Sequence, residues 1–189
     1  MNQVQEMPRL VEPARLPDAI ERLSGLFERM KLQRGFLSAE VLQNVAAPQT
    51  LLVLHAWRGL RDWQTYQNSA EKLAFTASRP EGLYDMVECG MNWRSLQADG
   101  AREGDTLRRE VIRHRDVELR SGSGIAGCQT FVYQDDLPAF AGCSLRLTRL
   151  ADANAASDPA PDAIVDETYR SLLFVKTAMT HPAENAAGA

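Results

Sequence analysis

The sequence predicts an α+β fold built on a ferredoxin-like βαββαβ unit, and three observations carry that prediction. In the first hundred residues, two segments repeat apolar side chains at steps of three and four, the period of a helix face. The segments around them alternate apolar and polar positions, the period of a strand. The order along the chain reads helix, strand, strand, helix, strand, with a short strand expected in front at Arg9 to Glu12.

Each element follows from its residues. Pro17 to Leu32 places Ile20, Leu23, Phe27 and Met30 on one helical stripe, with Pro17 and Asp18 suited to a first turn and Gly35 as a stop. Phe36 to Val45 reads as a strand, and Ala46-Ala47-Pro48-Gln49 as the turn into a second strand, Leu51 to Trp57. In that second strand Leu51, Val53, His55 and Trp57 share one face, and Leu52, Leu54 and Ala56 the other. Both faces are apolar, so the strand is central. From Leu60 to Thr76, the positions Leu60, Trp63, Tyr66, Ala70, Leu73 and Ala74 return to helical spacing, and Arg79-Pro80 ends the helix. Tyr84 to Trp93 alternates again, with Val87, Cys89, Met91 and Trp93 on one side.

A ferredoxin-like sheet carries its helices on one face and leaves the other bare. Because the central strand is apolar on both sides, a second sheet must cover the bare face, and a homodimer or the rest of this chain can supply it. The homodimer is the expected assembly. The domain division is residues 1–100 for the ferredoxin-like unit and 101–189 for a β-rich extension of unassigned role. In that extension Leu107 to Arg120, Cys128 to Gln134 and Cys143 to Leu150 read as a small β meander. Residues 151–161 have the composition of a mobile loop. Asp162 to Thr180 is balanced between periods, and a helix turning into a strand near Ser171 is the favoured reading.

Composition excludes several function classes. The 189 residues are 44 % hydrophobic and 24 % charged, ordinary for a folded chain. A net charge of −4 gives no general attraction to polyanions, so a nucleic-acid partner is not expected. No apolar run approaches the roughly 20 residues that cross a bilayer, and Met1 to Pro8 has no basic-then-apolar leader pattern. No membrane partner and a cytoplasmic location are expected. Three cysteines without C-x-x-C spacing argue against a disulfide framework or a zinc site.

Gly35-Phe36-Leu37-Ser38-Ala39-Glu40-Val41, then Leu51 to Trp57, then Trp63, Ser69 and Phe75, resemble the antibiotic biosynthesis monooxygenase family over residues 7–95. The resemblance implies a ferredoxin-like protomer of a dimeric α+β barrel, with a pocket between the sheet and the second helix. It implies aromatic polyketide, quinol or, in one branch, haem ligands. The anthrone-oxidising members place an Asn four residues before the strand-ending Trp, where this chain has Val53 and carries its polar group at His55 instead. The axial His of the haem-degrading branch falls on Thr76, so no haem degradation and no cofactor are expected.

Four ring side chains converge on this reading. His55 and Trp57 share a strand face, and Trp63 and Tyr66 sit one turn apart on the helix that should cover it. Their chemistry suits oxygen activation without a cofactor. His55 would act as general base, Trp57 and Tyr66 as donors to a developing oxyanion, and Val53, Trp63 and Leu73 would line the substrate pocket. The competing reading is packing, since buried histidines and tryptophans at sheet–helix contacts are most often core. The expected function is therefore a cofactor-independent monooxygenase acting on a phenolic, quinol or polyketide-like small molecule. The alternatives are a non-catalytic small-ligand or haem-binding module, and an isomerase or cyclase using the same pocket. Two other motifs are set aside. Gly122 to Gly127 matches G-x-G-x-x-G but precedes a strand-like run rather than a helix. Arg109, Arg113 and Arg115 share one strand face with Val111 and Val117, which reads as a solvated edge.

Overall fold

The computed structural model describes residues 1–95, 106–113, 128–133, 143–150 and 163–177. The first half follows the expected order: β1 Asn2–Leu10, α1 Leu16–Met30, β2 Phe36–Asn44, β3 Leu51–Trp57, α2 Leu60–Gln67, α3 Ala70–Ala77 and β4 Tyr84–Ser95. Four further strands follow: β5 Thr106–Arg113, β6 Cys128–Tyr133, β7 Cys143–Leu150 and β8 Ala163–Lys176. The eight strands of the described residues close into one barrel in the order β1-β3-β2-β8-β5-β7-β6-β4.

The arrangement repeats itself. In the first half β1 lies between β4 and β3, and β2 is outermost; in the second, β5 lies between β8 and β7, and β6 is outermost. The halves join where β2 pairs with β8 and where β4 pairs with β6. Of the two covers open to the bare face, the structure uses the chain's own second half. A homodimer would therefore have to form through another surface of the barrel.

The barrel interior holds Met7, Leu42, Leu52, Leu54, Met91, Trp93, Leu107, Val111, Phe131, Leu145, Leu147 and Tyr169. The other face of the first sheet packs against the helices through Val4, Leu51, Val53 and Trp57, met by Leu23, Phe27, Trp63 and Tyr66. All seven residues of β3 are buried, which is why both of its faces are apolar. Among the described residues, two ion pairs cross the barrel interior. Arg149 binds Glu40, and Arg109, 1 % exposed, donates to Glu167 at 2.8 Å and to the side-chain Oε1 of Gln5 at 3.3 Å. The expected solvated face of Arg109 is thus an interior one, because β5 turns Leu107, Arg109 and Val111 inward together.

Four expectations change. The front strand is Asn2–Leu10 rather than Arg9 to Glu12; its polar residues Asn2, Gln3 and Gln5 are buried by the neighbouring strands, so hydropathy hides it. The second-half strands are no meander, since β5 pairs with β7 and β8 rather than with β6. Ala163–Lys176 is a strand throughout, fixed by ladders to β2 and β5 that override its helical spacing. Val87 and Met91 do not share a face: the register shifts beside Gly90, whose φ of 62° suits a residue without a Cβ, and Val87 is left 58 % exposed. Residues 151–161, Gly122 to Gly127 and Arg115 lie outside the described residues.

Candidate functional site

The helix-facing side of β3 is the candidate site. In the β1–β3 ladder Val4 opposes His55 and Glu6 opposes Val53, so His55 and Glu6 lie one row apart on one face. The helix above was expected to be continuous from Leu60 to Thr76, and it is broken at Asn68-Ser69. The Asn68 side chain donates to the Gln64 carbonyl at 2.9 Å, and the Ser69 hydroxyl accepts the Lys72 N–H at 3.1 Å, capping a new helix. The break decides which residues reach the site. In one unbroken helix Lys72 would lie roughly 180° from Trp63, while Leu73 would lie nearly in line with Tyr66. Here Lys72 and Phe75 are buried and Leu73 is 60 % exposed. Leu73 therefore does not line a pocket.

The four predicted rings do come together. His55 and Trp63 centroids are 4.7 Å apart, Trp57 and Tyr66 stack at 5.3 Å, and Trp57 and Trp63 lie at 5.8 Å. Phe36 meets Trp57 edge-on at 5.5 Å. Val53, 1 % exposed, packs in the same layer.

The polar atoms within this aromatic layer set its chemistry. The Trp57 indole N–H donates to His55 Nδ1 at 2.8 Å. His55 is 2 % exposed, and burial draws its imidazole down to about 4, against the upward pull of Glu6 and with a further downward push from Lys72. The ring is therefore neutral at pH 7. Lys72 Nζ donates to Glu6 Oε1 at 3.1 Å, with the two side chains only 9 % and 14 % exposed. Burial pulls the Glu6 carboxyl upward, but Lys72 and His55 outweigh it and hold it below the usual carboxylate range. The Tyr66 hydroxyl is buried with no hydrogen-bond partner, and burial, then Glu71 and Glu6, raises its phenol above the ordinary value. On the same sheet face Asn2 donates to Asn92 at 3.2 Å and leaves its own Oδ1 unpartnered.

Glu6 and Lys72 were not among the sequence candidates. Glu6 sits in a strand whose polar composition hides it, and only the helix break brings Lys72 inward. Ser69 in front of a second apolar turn is the one sequence signal that could have pointed to Lys72. Among the described residues no three His, Cys, Asp or Glu side chains converge to hold a metal ion.

Comparison with known proteins fits this architecture. Residues 8–78 match the model of the antibiotic biosynthesis monooxygenase family, and that segment is a domain of this family. No curated protein matches the chain. Among solved structures, an anthrone oxidase-like protein superposes with a TM-score of 0.64 at 12 % identity, covering 96 % of this chain and 95 % of its own. A candidate monooxygenase from Lactobacillus acidophilus gives 0.61 at 7 % identity, covering 93 % of this chain and 97 % of its own. Another, from Fusobacterium nucleatum, gives 0.59 at 9 % identity over 93 % and 94 %. At these identities the likeness concerns the fold, and it extends over both halves of the barrel.

Proposed function

We propose that the antibiotic biosynthesis monooxygenase domain of this chain performs cofactor-independent oxygenation of an acidic phenolic, quinol or polyketide-like substrate at the β3–α2–α3 site. The observation that carries the reading is the buried Tyr66 hydroxyl, which has no partner and lies in a layer of aromatic rings beside His55. An unspent donor in an apolar layer costs stability unless something accepts from it, and an oxyanion is the ligand it would hold most strongly.

The chemistry needs little else from the protein. Loss of a C–H proton leaves a carbanion delocalised onto a phenolic or keto oxygen. The carbanion donates its electrons to dioxygen, a C–O bond forms, and the peroxide takes up a proton. Loss of water then leaves a carbonyl, so one oxygen atom enters the substrate, the other leaves as water, and no outside reductant is required. In this reading Glu6, kept ionised by Lys72, accepts the substrate proton. His55 and Tyr66 hold the oxygen on which charge accumulates. The family match and the monooxygenase-like fold relatives support this assignment.

Oxygen uptake with 1,8-dihydroxyanthrone tests it. His55→Ala and Tyr66→Phe should each lower turnover, by about 10²-fold for His55→Ala, while the variants stay folded. Wild-type protein that consumes no oxygen above the buffer rate across a panel of anthrones and quinols would refute it.

A further inference from the structure

We infer that Trp57 is a positioning residue that fixes His55 as a hydrogen-bond donor, so that the imidazole meets its ligand through Nε2–H and selects ligands bearing an oxyanion. The inference deepens the proposed reaction and rests on it for the ligand, but not for the state of the ring.

The argument is one of proton accounting. An indole N–H can only donate, so the 2.8 Å bond from Trp57 obliges His55 Nδ1 to be an acceptor and therefore unprotonated. A neutral imidazole carries one N–H, which must then sit on Nε2. The Trp57 bond is the one side-chain hydrogen bond of His55 among the described residues, so Nε2 makes none there, and the ring lies against Trp63 in a tilted contact at 4.7 Å, with 50° between the planes. Protonating Nδ1 would oppose two hydrogens and break the Trp57 bond, so the cation is disfavoured by geometry as well as by burial. The groups facing the ring are Glu6 and Lys72, whose pair at 3.1 Å places a cation as well as an anion beside it. With Nδ1 occupied and Nε2 already protonated, the ring has no lone pair free to take a substrate proton. A general base at this position would need the opposite tautomer. What it offers is a fixed N–H, and the ligand atom that fits one is an acceptor oxygen, best of all a charged one.

The test reads the ring directly. Two-dimensional 15N–1H spectra of 15N-histidine-labelled wild-type protein at pH 7 should show His55 with Nδ1 bare and Nε2 protonated. The reverse tautomer, or a charged ring, overturns the inference whatever the ligand does and whether or not any variant folds. Trp57→Phe keeps an aromatic ring but removes the donor, and should shift His55 toward a mixture of tautomers. Its affinity for 4-nitrophenolate, read from the visible band at pH 8, should fall about tenfold or more. An unchanged tautomer in that variant overturns the role of Trp57. His55→Gln supplies an N–H close to the Nε2 position but cannot act as a base. Phenolate affinity and turnover within a few-fold of wild type support the donor role, and a loss as deep as that of His55→Ala overturns it. Wild-type protein with the expected tautomer that binds no phenolate refutes the oxyanion ligand and the proposed reaction, while leaving the Trp57 lock in place.

Discussion

Tyr66→Phe separates a catalytic hydroxyl from a packing one, because the two readings differ in the sign of the stability change. The Tyr66 side chain is 2 % exposed and its hydroxyl has no hydrogen-bond partner. Leaving a buried polar group unsatisfied costs about 1–3 kcal/mol. Removing that oxygen relieves the cost and leaves the ring, with its 5.3 Å stack on Trp57, in place. The void left by one oxygen takes back part of the gain, so a net stabilisation of about 1 kcal/mol is expected. For a chain of this size that is an upward shift in Tm of roughly 2–4 °C. Over the same substitution, oxygen uptake with 1,8-dihydroxyanthrone should fall by about 10-fold or more, since an oxyanion donor is lost. Calorimetry and oxygen consumption on one preparation measure both quantities. A variant with lowered Tm and unchanged turnover would show that the hydroxyl serves the fold and that the reasoning about the site is wrong.

Three further outcomes are expected. Lys72→Met removes the counter-ion of Glu6 within a nearly buried pair, which should destabilise the protein by up to about 3 kcal/mol at pH 7 by chemical denaturation. It should also raise the Glu6 carboxyl and the His55 imidazole, because Lys72 now lowers both; NMR titration checks the direction. His55 binds its proton more weakly folded, at about 4, than unfolded, at about 6.5, so stability is fully present above pH 6.5 and drains as pH falls toward 4. The loss is on the order of 3 kcal/mol, and urea titrations at each pH should show His55→Gln lacking that component of the slope. A fragment ending at Ser95 bares Leu52, Leu54, Met91 and Trp93, which the second half buries, and should self-associate and bind a hydrophobic dye in sedimentation and fluorescence assays.

How much of this was legible in the sequence depends on whether burial and hydropathy agree. They agree in β3, where every residue is buried and apolar or aromatic except His55, and the strand is found at Leu51–Trp57 as expected. They agree in α1, whose stripe of Leu23, Phe27 and Met30 is the buried face. They disagree in β1, where Gln3 and Gln5 are buried as neighbours of Arg109 and of the barrel wall, a setting created by residues a hundred positions away. They also disagree in β8, where Arg109 donates to Glu167 at 2.8 Å and the Tyr169 hydroxyl donates to the same carboxylate at 2.7 Å. The ring cluster was legible because its four members sit on two elements of regular period. The Glu6–Lys72 pair was not, because a break between two short helices is set by one Ser and one Asn side chain bonding to backbone.

The repeated strand order raises the question of whether the barrel holds two such sites, and the residues answer it. Outward from β5, β7 and β8, on the face equivalent to the one beneath α2 and α3, lie Arg108, Glu110, Arg146, Thr148, Asp166 and Thr168. Arg108 grips Asp166 through two bonds at 2.8 and 3.0 Å, and Glu110 lies 3.6 Å from Arg146. Arg108 and Glu110 are 4 % and 3 % exposed, while the Arg146 and Asp166 side chains are 27 % and 36 % exposed, so this is a half-buried ion network where the first half has aromatic rings and an imidazole. Such charges hold neighbouring strands in register, and among the described residues of this face no buried polar side-chain atom lacks a partner. Binding of 4-nitrophenolate should therefore saturate at one ligand per chain. Arg108→Ala, which strands Asp166 and Glu110, should lower stability by about 3 kcal/mol and leave that affinity within twofold. Two equivalents bound per chain, or an affinity that falls with Arg108, would show that the second half carries a site of its own.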